Sequence, residues 1–451
     1  LGASMLSGIS AQVSPLQVDT LKETKIPDQW DLQSCIDYAK EQNITIRKNR
    51  ITAASTQIDV KTAKAAMFPS LSFSTGQQVV NRPYQETSSR VSGSEIISSN
   101  SKTSYNGNYG LNASWTLYNG NKRLKTIQQE KLNNQMAELD VATSENNIQE
   151  SIAQVYIQIL YAAESVKVNE NTLQVSIAQR DRGQELLNAG SIAKSDLAQL
   201  EAQVSTDRYQ LVTAQATLED YKLQLKQLLE LDGENEMNIY LPTLSDENVL
   251  APLPTKRDVY ISALSLRPEI EASKLNVEAS ELGINIAKSS YFPTISLSAG
   301  IGTNHTSGSD FTFGEQVKNG WNNSIGLSVS VPIFNNRQTK SAVQKAKLQY
   351  ETSMLSLLDE QKALYKTIES LWLDANSAQQ RYAAANEKLK STQISYELIS
   401  EQFNLGMKNT VELLTEKNNL LQAQQEQLQA KYMAILNTQL LKFYQGDQLA
   451  L

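Results

Sequence analysis

The chain has 451 residues, 40% of them hydrophobic, with 41 Lys and Arg against 48 Asp and Glu, a net charge of −7, one cysteine and one histidine. No basic cluster marks a nucleic-acid partner, a lone cysteine excludes an intrachain disulfide and a cysteine-cluster metal site, and no run of about 18 apolar residues allows a transmembrane helix. Glycine and proline are few and bunched, while Gln, Asn, Ser and Ala fill long tracts, a composition suited to extended helices with narrow apolar seams rather than to a thick core.

In chain order, LGASMLSGISAQ is apolar and rich in small residues, and residues 1–29 read as a secretory signal-peptide remnant with a short extension. Cys35, in LQSCIDYA, opens an amphipathic helix and reads as a buried small hydrophobe. That helix runs into AKAAMFPSLSFSTG. There Pro69 removes a helical donor and disfavours helix at Phe68, and Leu71, Phe73 and Thr75 alternate with serines as a strand over about 70–84. A Ser/Gly-rich loop over 85–103 is expected to face outward. A second strand over about 103–118 sets Tyr105, Tyr109, Leu111, Ala113, Trp115 and Leu117 against Asn, Gly, Ser and Thr. From Asn121 to Arg182 there is neither Gly nor Pro, which predicts a helix of uncommon length, with a hairpin tip near Gly190. The return helix from Leu197 carries apolar residues at 3–4 spacing, a seam broken only by Asp207. A proline-punctuated connector covers 232–254.

The second half repeats these words. AKSSYFPTISLSAG restates AKAAMFPSLSFSTG at an offset of 224, with Phe292 and Pro293 on Phe68 and Pro69, and IGLSVSVPIFNNR restates YGLNASWTLYNGN at 216. Strands are expected over about 294–304 and 321–334, separated by an outward loop at 305–320, with a second helical run from Asn335 and a tip near Gly406. Two copies of one unit therefore occupy 30–231 and 255–445, with a tail at 446–451.

Each strand is about 10–14 residues long, enough to cross a bilayer at a tilt, and its polar face is Ser, Gly, Asn and Thr with almost no charge, as in a water-filled lumen. Tyr105, Trp115, Trp321 and Phe334 lie near the ends of the apolar face, as interfacial aromatic girdles do. Phe68, Pro69, Phe292 and Pro293 then mark the crossing from polar helix to membrane strand. Four strands cannot close a barrel, and an open edge in lipid leaves backbone groups unsatisfied. The barrel is expected to be shared: two chains give eight strands and three give twelve. Eight leave an interior filled by side chains whereas a conduit needs more, which favours three.

The doubled helix–Phe-Pro–strand–loop–strand–long-helix unit, with GSIAKSDL (190–197) and FNLGMKNTVELL (403–414) at the hairpin tips, resembles the TolC-like outer-membrane efflux proteins over residues 30–445. The fold class this implies is mainly α with membrane β: a homotrimer in which a 12-strand barrel, four strands per chain, continues as a 12-helix α-barrel across the periplasm. The implied function is the exit duct of a tripartite efflux or type I secretion system in a Gram-negative outer membrane, fed by a periplasmic adaptor and an inner-membrane pump. By the same resemblance Gly190, Ser195, Gly406 and Thr410 belong to the adaptor-docking tips, and Asp196 and Lys408 hold positions of polar links that shut a periplasmic gate. Glu412 matches a lumen-facing acidic ring. Phe403 stands where a gate tyrosine often occurs, and Thr415 where a second ring carboxylate can occur.

Against an enzyme stand the lack of a phosphate loop, zinc spacing or nucleophile elbow and the position of the one histidine, His305, in a Gly/Ser-rich stretch. No cofactor or metal is expected. The competing reading is a periplasmic coiled-coil spacer with a small β head. Drug, metal and protein export are not separated by these residues, because the partner pump sets the substrate.

Overall fold

The computed structural model describes residues 27–84, 88–92, 95–99, 102–232, 237–242, 249–307, 309 and 311–449. Residues 1–26 of the expected signal-peptide remnant, and 233–236 and 243–248 of the connector, lie outside them. Nine helices and six strands are described: α1 (Leu32–Gln42), α2 (Ile44–Ala65), β1 (Ser70–Asn81), β2 (Ser88–Ser92), β3 (Glu95–Ser99), β4 (Thr103–Asn119), α3 (Lys122–Asn188), α4 (Lys194–Leu228), α5 (Lys256–Leu266), α6 (Pro268–Ser289), β5 (Thr294–Thr306), α7 (Phe313–Asn319), β6 (Asn322–Ser330), α8 (Gln338–Asn404) and α9 (Thr410–Gln445). Packing divides the chain into two compact units, and neither is a sequence repeat. One takes residues 1–47, 144–266 and 365–451; the other takes 48–143 and 267–364.

The first unit holds the core. Asp31 caps α1 by accepting from the Ser34 amide at 2.7 Å, and Leu32, Cys35, Ile36 and Ala39 then fall on one buried stripe. Cys35 is buried as expected, and that burial pushes its thiol up to about 12. Trp30 anchors the edge of this core. Its amide donates to Asn238, its carbonyl accepts from Tyr240, both at 2.8 Å, and the Tyr156 hydroxyl closes the same corner on the Tyr240 carbonyl at 2.5 Å. Tyr156, Ile159 and Leu160 of α3, Leu225 of α4 and Leu436 and Leu440 of α9 fill the remainder.

What reads as one helix before each strand pair is two. Asn43 separates α1 from α2: its side-chain amide donates to the Leu228 carbonyl at 3.0 Å while its Oδ1 accepts from the Thr45 amide at 2.9 Å. Arg267 and Pro268, at the aligned positions of the second repeat, separate α5 from α6, because proline supplies no amide to continue a helix.

The second unit holds a four-stranded antiparallel sheet in the order β1-β4-β5-β6, with a separate two-stranded β2-β3 hairpin. Cross-strand register stacks Phe73, Leu111 and Ile301 in one row and Leu71, Ala113, Ala299 and Ile325 in the next, so the apolar residues of all four strands share one face. The two segments expected as loops contain regular elements: the first contains β2 and β3, the second contains α7. β6 is shorter than expected and stops at Ser330, where the approach of Pro332 removes a ladder donor. The strand-to-helix joints repeat faithfully: Gly120 and Asn121 in the first copy, and Asn336 and Arg337 in the second, all have left-handed backbone. A Cβ on Gly120 would meet the Ser289 carbonyl at 2.6 Å, so glycine there admits the neighbouring helix end.

Candidate functional site

Two features carry the site, one in each unit. In the sheet, none of β1, β4, β5 and β6 contains Asp, Glu, Lys or Arg. One face is apolar and open: Leu71 is 69%, Phe73 68% and Ile325 83% exposed. The other face is a lattice of small polar groups, with Ser70 and Ser114 hydroxyls 2.8 Å apart and the Asn112 amide donating to Ser74. Among the described residues β1 and β6 each keep one unpaired edge. Such a face costs heavily in water, and such an edge costs heavily in lipid.

The joints into this sheet are built alike. Phe68 donates its amide to Ala65, and Phe292 to Ser289, closing the last helical turn before Pro69 and Pro293, and both phenyl rings are exposed. Trp115 belongs to this border, since its indole N–H donates to the Met67 carbonyl at 2.7 Å. Phe334 follows β6 and is exposed, whereas Tyr105 and Trp321 lie at the loop ends of β4 and β6.

In the other unit, the two hairpin tips share one backbone. Gly190 and Gly406 have φ of 74° and 73°. Ser191 donates back to Leu186, and Met407 to Gln402, each at 2.8 Å, the six-to-one bond of a Schellman cap. α9 begins at Thr410 and α4 at Lys194, one residue before Ser195, so the N-caps are Asn409 and Ala193 rather than the hydroxyl residues themselves. Ser195 is exposed, while Thr410 is buried in the first turn with no hydrogen-bond partner for its hydroxyl. Asp196 and Glu412 occupy equivalent third positions, each accepting from its own N-cap amide, at 3.0 and 3.2 Å. Lys408 pairs with Glu412 at 2.6 Å and forms no ion pair with Asp196 within the chain. The Lys408 hydrogen bond, followed by the Asn409 amide, holds the Glu412 carboxyl below the usual carboxylate range. Phe403 is buried beside Tyr396, whose hydroxyl accepts from the Gln179 amide at 2.8 Å.

One cluster was not identified from sequence. Asp207, the residue that interrupts the α4 seam, is 1% exposed, and its carboxylate meets the Lys417 ammonium of α9 and the Ser176 hydroxyl of α3. Lys417 is 3% exposed and also donates to Ser176, while Gln203 donates to the second Asp207 oxygen at 2.8 Å. Burial pushes the Lys417 pKa down, and the Asp207 carboxylate opposes it. The charge in the seam was the available signal; nothing in the sequence singled out its partner.

The family model described as outer membrane efflux protein matches residues 35–230 and 259–446. The chain belongs to that family. It is accordingly an outer-membrane protein of a Gram-negative bacterium. Among its relatives, the outer membrane efflux protein BepC of Brucella suis is 24% identical, over 65% of this chain and 61% of its own length. The outer membrane protein TolC of Escherichia coli is also 24% identical, over 63% and 58%. The match thus spans about three fifths of each of those relatives. Among solved structures, CusC has a TM-score of 0.78 at 19% identity over 92% of both chains. The outer membrane protein VceC of Vibrio cholerae has 0.75 at 16%, over 93% of this chain and 97% of its own. At these identities the likeness is one of fold, and it covers both helical hairpins and the sheet.

Proposed function

We propose that this chain is the outer-membrane exit duct of a tripartite efflux or type I secretion system, conducting passively what an inner-membrane pump and a periplasmic adaptor deliver. The observation that carries this reading is the charge-free sheet: an exposed apolar face, a polar reverse face and two unpaired edges, in a chain whose remainder is two long helical hairpins. Three chains placed edge to edge satisfy β1 against β6 and give twelve strands round a polar lumen, wide enough to remain open. The twelve long helices then form the periplasmic tube, and exposed Leu405, Met407 and Val411 near the second tip offer apolar contacts to an adaptor.

In such a trimer Asp196 and Glu412, at equivalent positions of the two return helices, supply six carboxylates to the tip, and Lys408 neutralises part of that charge. A narrow ring of carboxylates concentrates cations. The gate follows from the same residues: Lys408, held by Glu412 of its own hairpin, turns its remaining N–H groups to Asp196 of an adjoining hairpin in the shut state.

Planar-bilayer recording tests the reading. Purified protein should give discrete, cation-preferring channels, with weaker preference in Glu412→Gln and larger conductance in Asp196→Ala/Lys408→Ala. If no conductance forms and cell fractionation finds the chain in the soluble periplasm, the periplasmic spacer reading replaces this one.

A further inference from the structure

Helix α7 lies against one side of the sheet in particular. β6 pairs with β5 only from Thr294 to Gly302, so among the described residues no strand lies beside Thr303–Thr306 on that edge. α7 takes the vacant place: the Thr303 hydroxyl donates to the Val317 carbonyl at 2.7 Å, and the Thr306 amide donates to the Gln316 side-chain oxygen at 2.8 Å. Backbone and side-chain polar groups at a sheet edge need such partners wherever water is scarce.

Thr303 and His305 point to the same side as Leu297 and Ile301, because side chains alternate along a strand. α7 therefore leans on the apolar face. His305 lies over its cross-strand partner Gly107, where a Cβ would fall 2.0 Å from the imidazole Cε1. The ring stacks on Tyr109 at 5.9 Å, and Phe313, the first residue of α7, closes on it edge-on at 5.0 Å. Its buried Nδ1 has no hydrogen-bond partner. A polar ring on an apolar face is thus roofed by an aromatic side chain of α7.

The outer surface of this segment is itself divided. Phe311, Phe313 and Trp321 are each more than half exposed, as is Tyr105. Glu315, Lys318 and Asn319, on the helix between them, are exposed as well. Seven residues are too few for a helix to persist alone in water. The Thr312–Glu315 capping box and the β5 contacts hold it in place.

We propose that α7 is an interfacial anchor, seated in the lipid head-group layer at the rim of the apolar band. Phe311, Phe313 and Trp321 enter the lipid, and Glu315, Lys318 and Asn319 face water. The inference rests on the lipid-facing reading of the sheet. Lipid is the occupant because Trp321 continues the alternation of Ile325 and Leu327 on the exposed apolar face and Phe313 packs on His305 of that face, at the level where the strand pairing ends. The anchor roofs His305 and supplies hydrogen-bond partners to Thr303 and Thr306 at the β5 edge, which lipid alone would leave unsatisfied.

Cys35 is the one cysteine and is buried, so a Cys35→Ala chain can carry a single nitroxide label at Phe311→Cys, Phe313→Cys, Glu315→Cys or Leu327→Cys. Each full-length labelled protein is reconstituted in phosphatidylcholine vesicles, and spin relaxation is measured with oxygen, which enters lipid, and with a water-soluble nickel chelate. Labels at 311 and 313 should relax several-fold more with oxygen than with nickel, matching 327, and the order should reverse at 315. Aqueous behaviour at 311 and 313 with a lipid signature at 327 overturns the anchor and leaves the sheet reading standing. Aqueous behaviour at 327 overturns both. Labels at 311 and 313 that neither reagent reaches would mean that a second copy of the chain covers α7, which also overturns it.

Discussion

The two hairpin tips have one backbone and two chemistries. Residues 186–197 and 402–413 turn through the same Schellman cap, with glycine φ values one degree apart and equal six-to-one bonds. Their side chains have diverged. The first tip presents Ser191, Ile192 and Ala193, and its N-cap has no side-chain acceptor; the second presents Met407, Lys408 and Asn409, with a complete capping box and an ion pair on Glu412. Duplication has preserved what the backbone requires, glycine at the left-handed position and a carboxylate at the third helical position. It has freed the rest, so the second tip concentrates apolar exposure, with Leu405 at 75% and Met407 at 70%, beside a fixed charge.

The buried Asp207–Lys417 lock joins the two hairpins, and breaking it should have the largest effect. Lys417→Met strands the Asp207 carboxylate in the seam, a loss of about 3–5 kcal/mol. Thermal unfolding in detergent should fall markedly, and Asp207→Leu/Lys417→Met should recover most of it. A single variant as stable as wild type would show that water reaches the pair.

Shared backbone predicts shared cost. Neither Gly190 nor Gly406 has any atom within 4 Å of a built Cβ, so alanine is penalised by backbone conformation alone. Gly190→Ala and Gly406→Ala should each lose about 1–2 kcal/mol in chemical unfolding, and unequal losses would mean that one tip packs against something further.

Divergent caps predict divergent fraying. Asn409→Ala should cost about 1 kcal/mol and Ala193→Asn should gain a similar amount, read by hydrogen exchange of the first turns of α9 and α4. Acid gives the smallest effect, and its sign is fixed. The folded Glu412 pKa is depressed, so its stabilisation is present above the ordinary carboxylate range and is lost as pH falls through the folded value. A spin label at Met407 should gain mobility over that descent, and Glu412→Gln should abolish the change.

Local chemistry made much of this legible. Pro69 and Pro293 act on their immediate neighbours, so the helix-to-strand switches fall where the residues place them. Gly190 and Gly406 likewise fix the turns without help from distant contacts. The aligned helix breaks at Asn43 and Pro268 were less visible: proline is a local signal, whereas Asn43 interrupts its helix through a bond to Leu228, 185 residues away. The α7 helix was hidden by Gly and Ser around it, although the Thr312–Glu315 capping box that starts it stands in the sequence. Ser195 and Thr410 do fall at the helix starts, but the capping role goes to Ala193 and Asn409, because cap position depends on where the preceding turn ends. Asp207 announced itself by breaking a seam; Lys417 did not, because a lysine on a polar helix looks like any other until the fold buries it.

The central claim is that the sheet is one share of a barrel completed by other copies. The direct measurement is the protein mass of the particle in detergent, with the bound detergent subtracted. Three chains per particle is the predicted result. A stable, membrane-inserted monomer would contradict it, since β1 and β6 would then keep their unpaired edges in lipid.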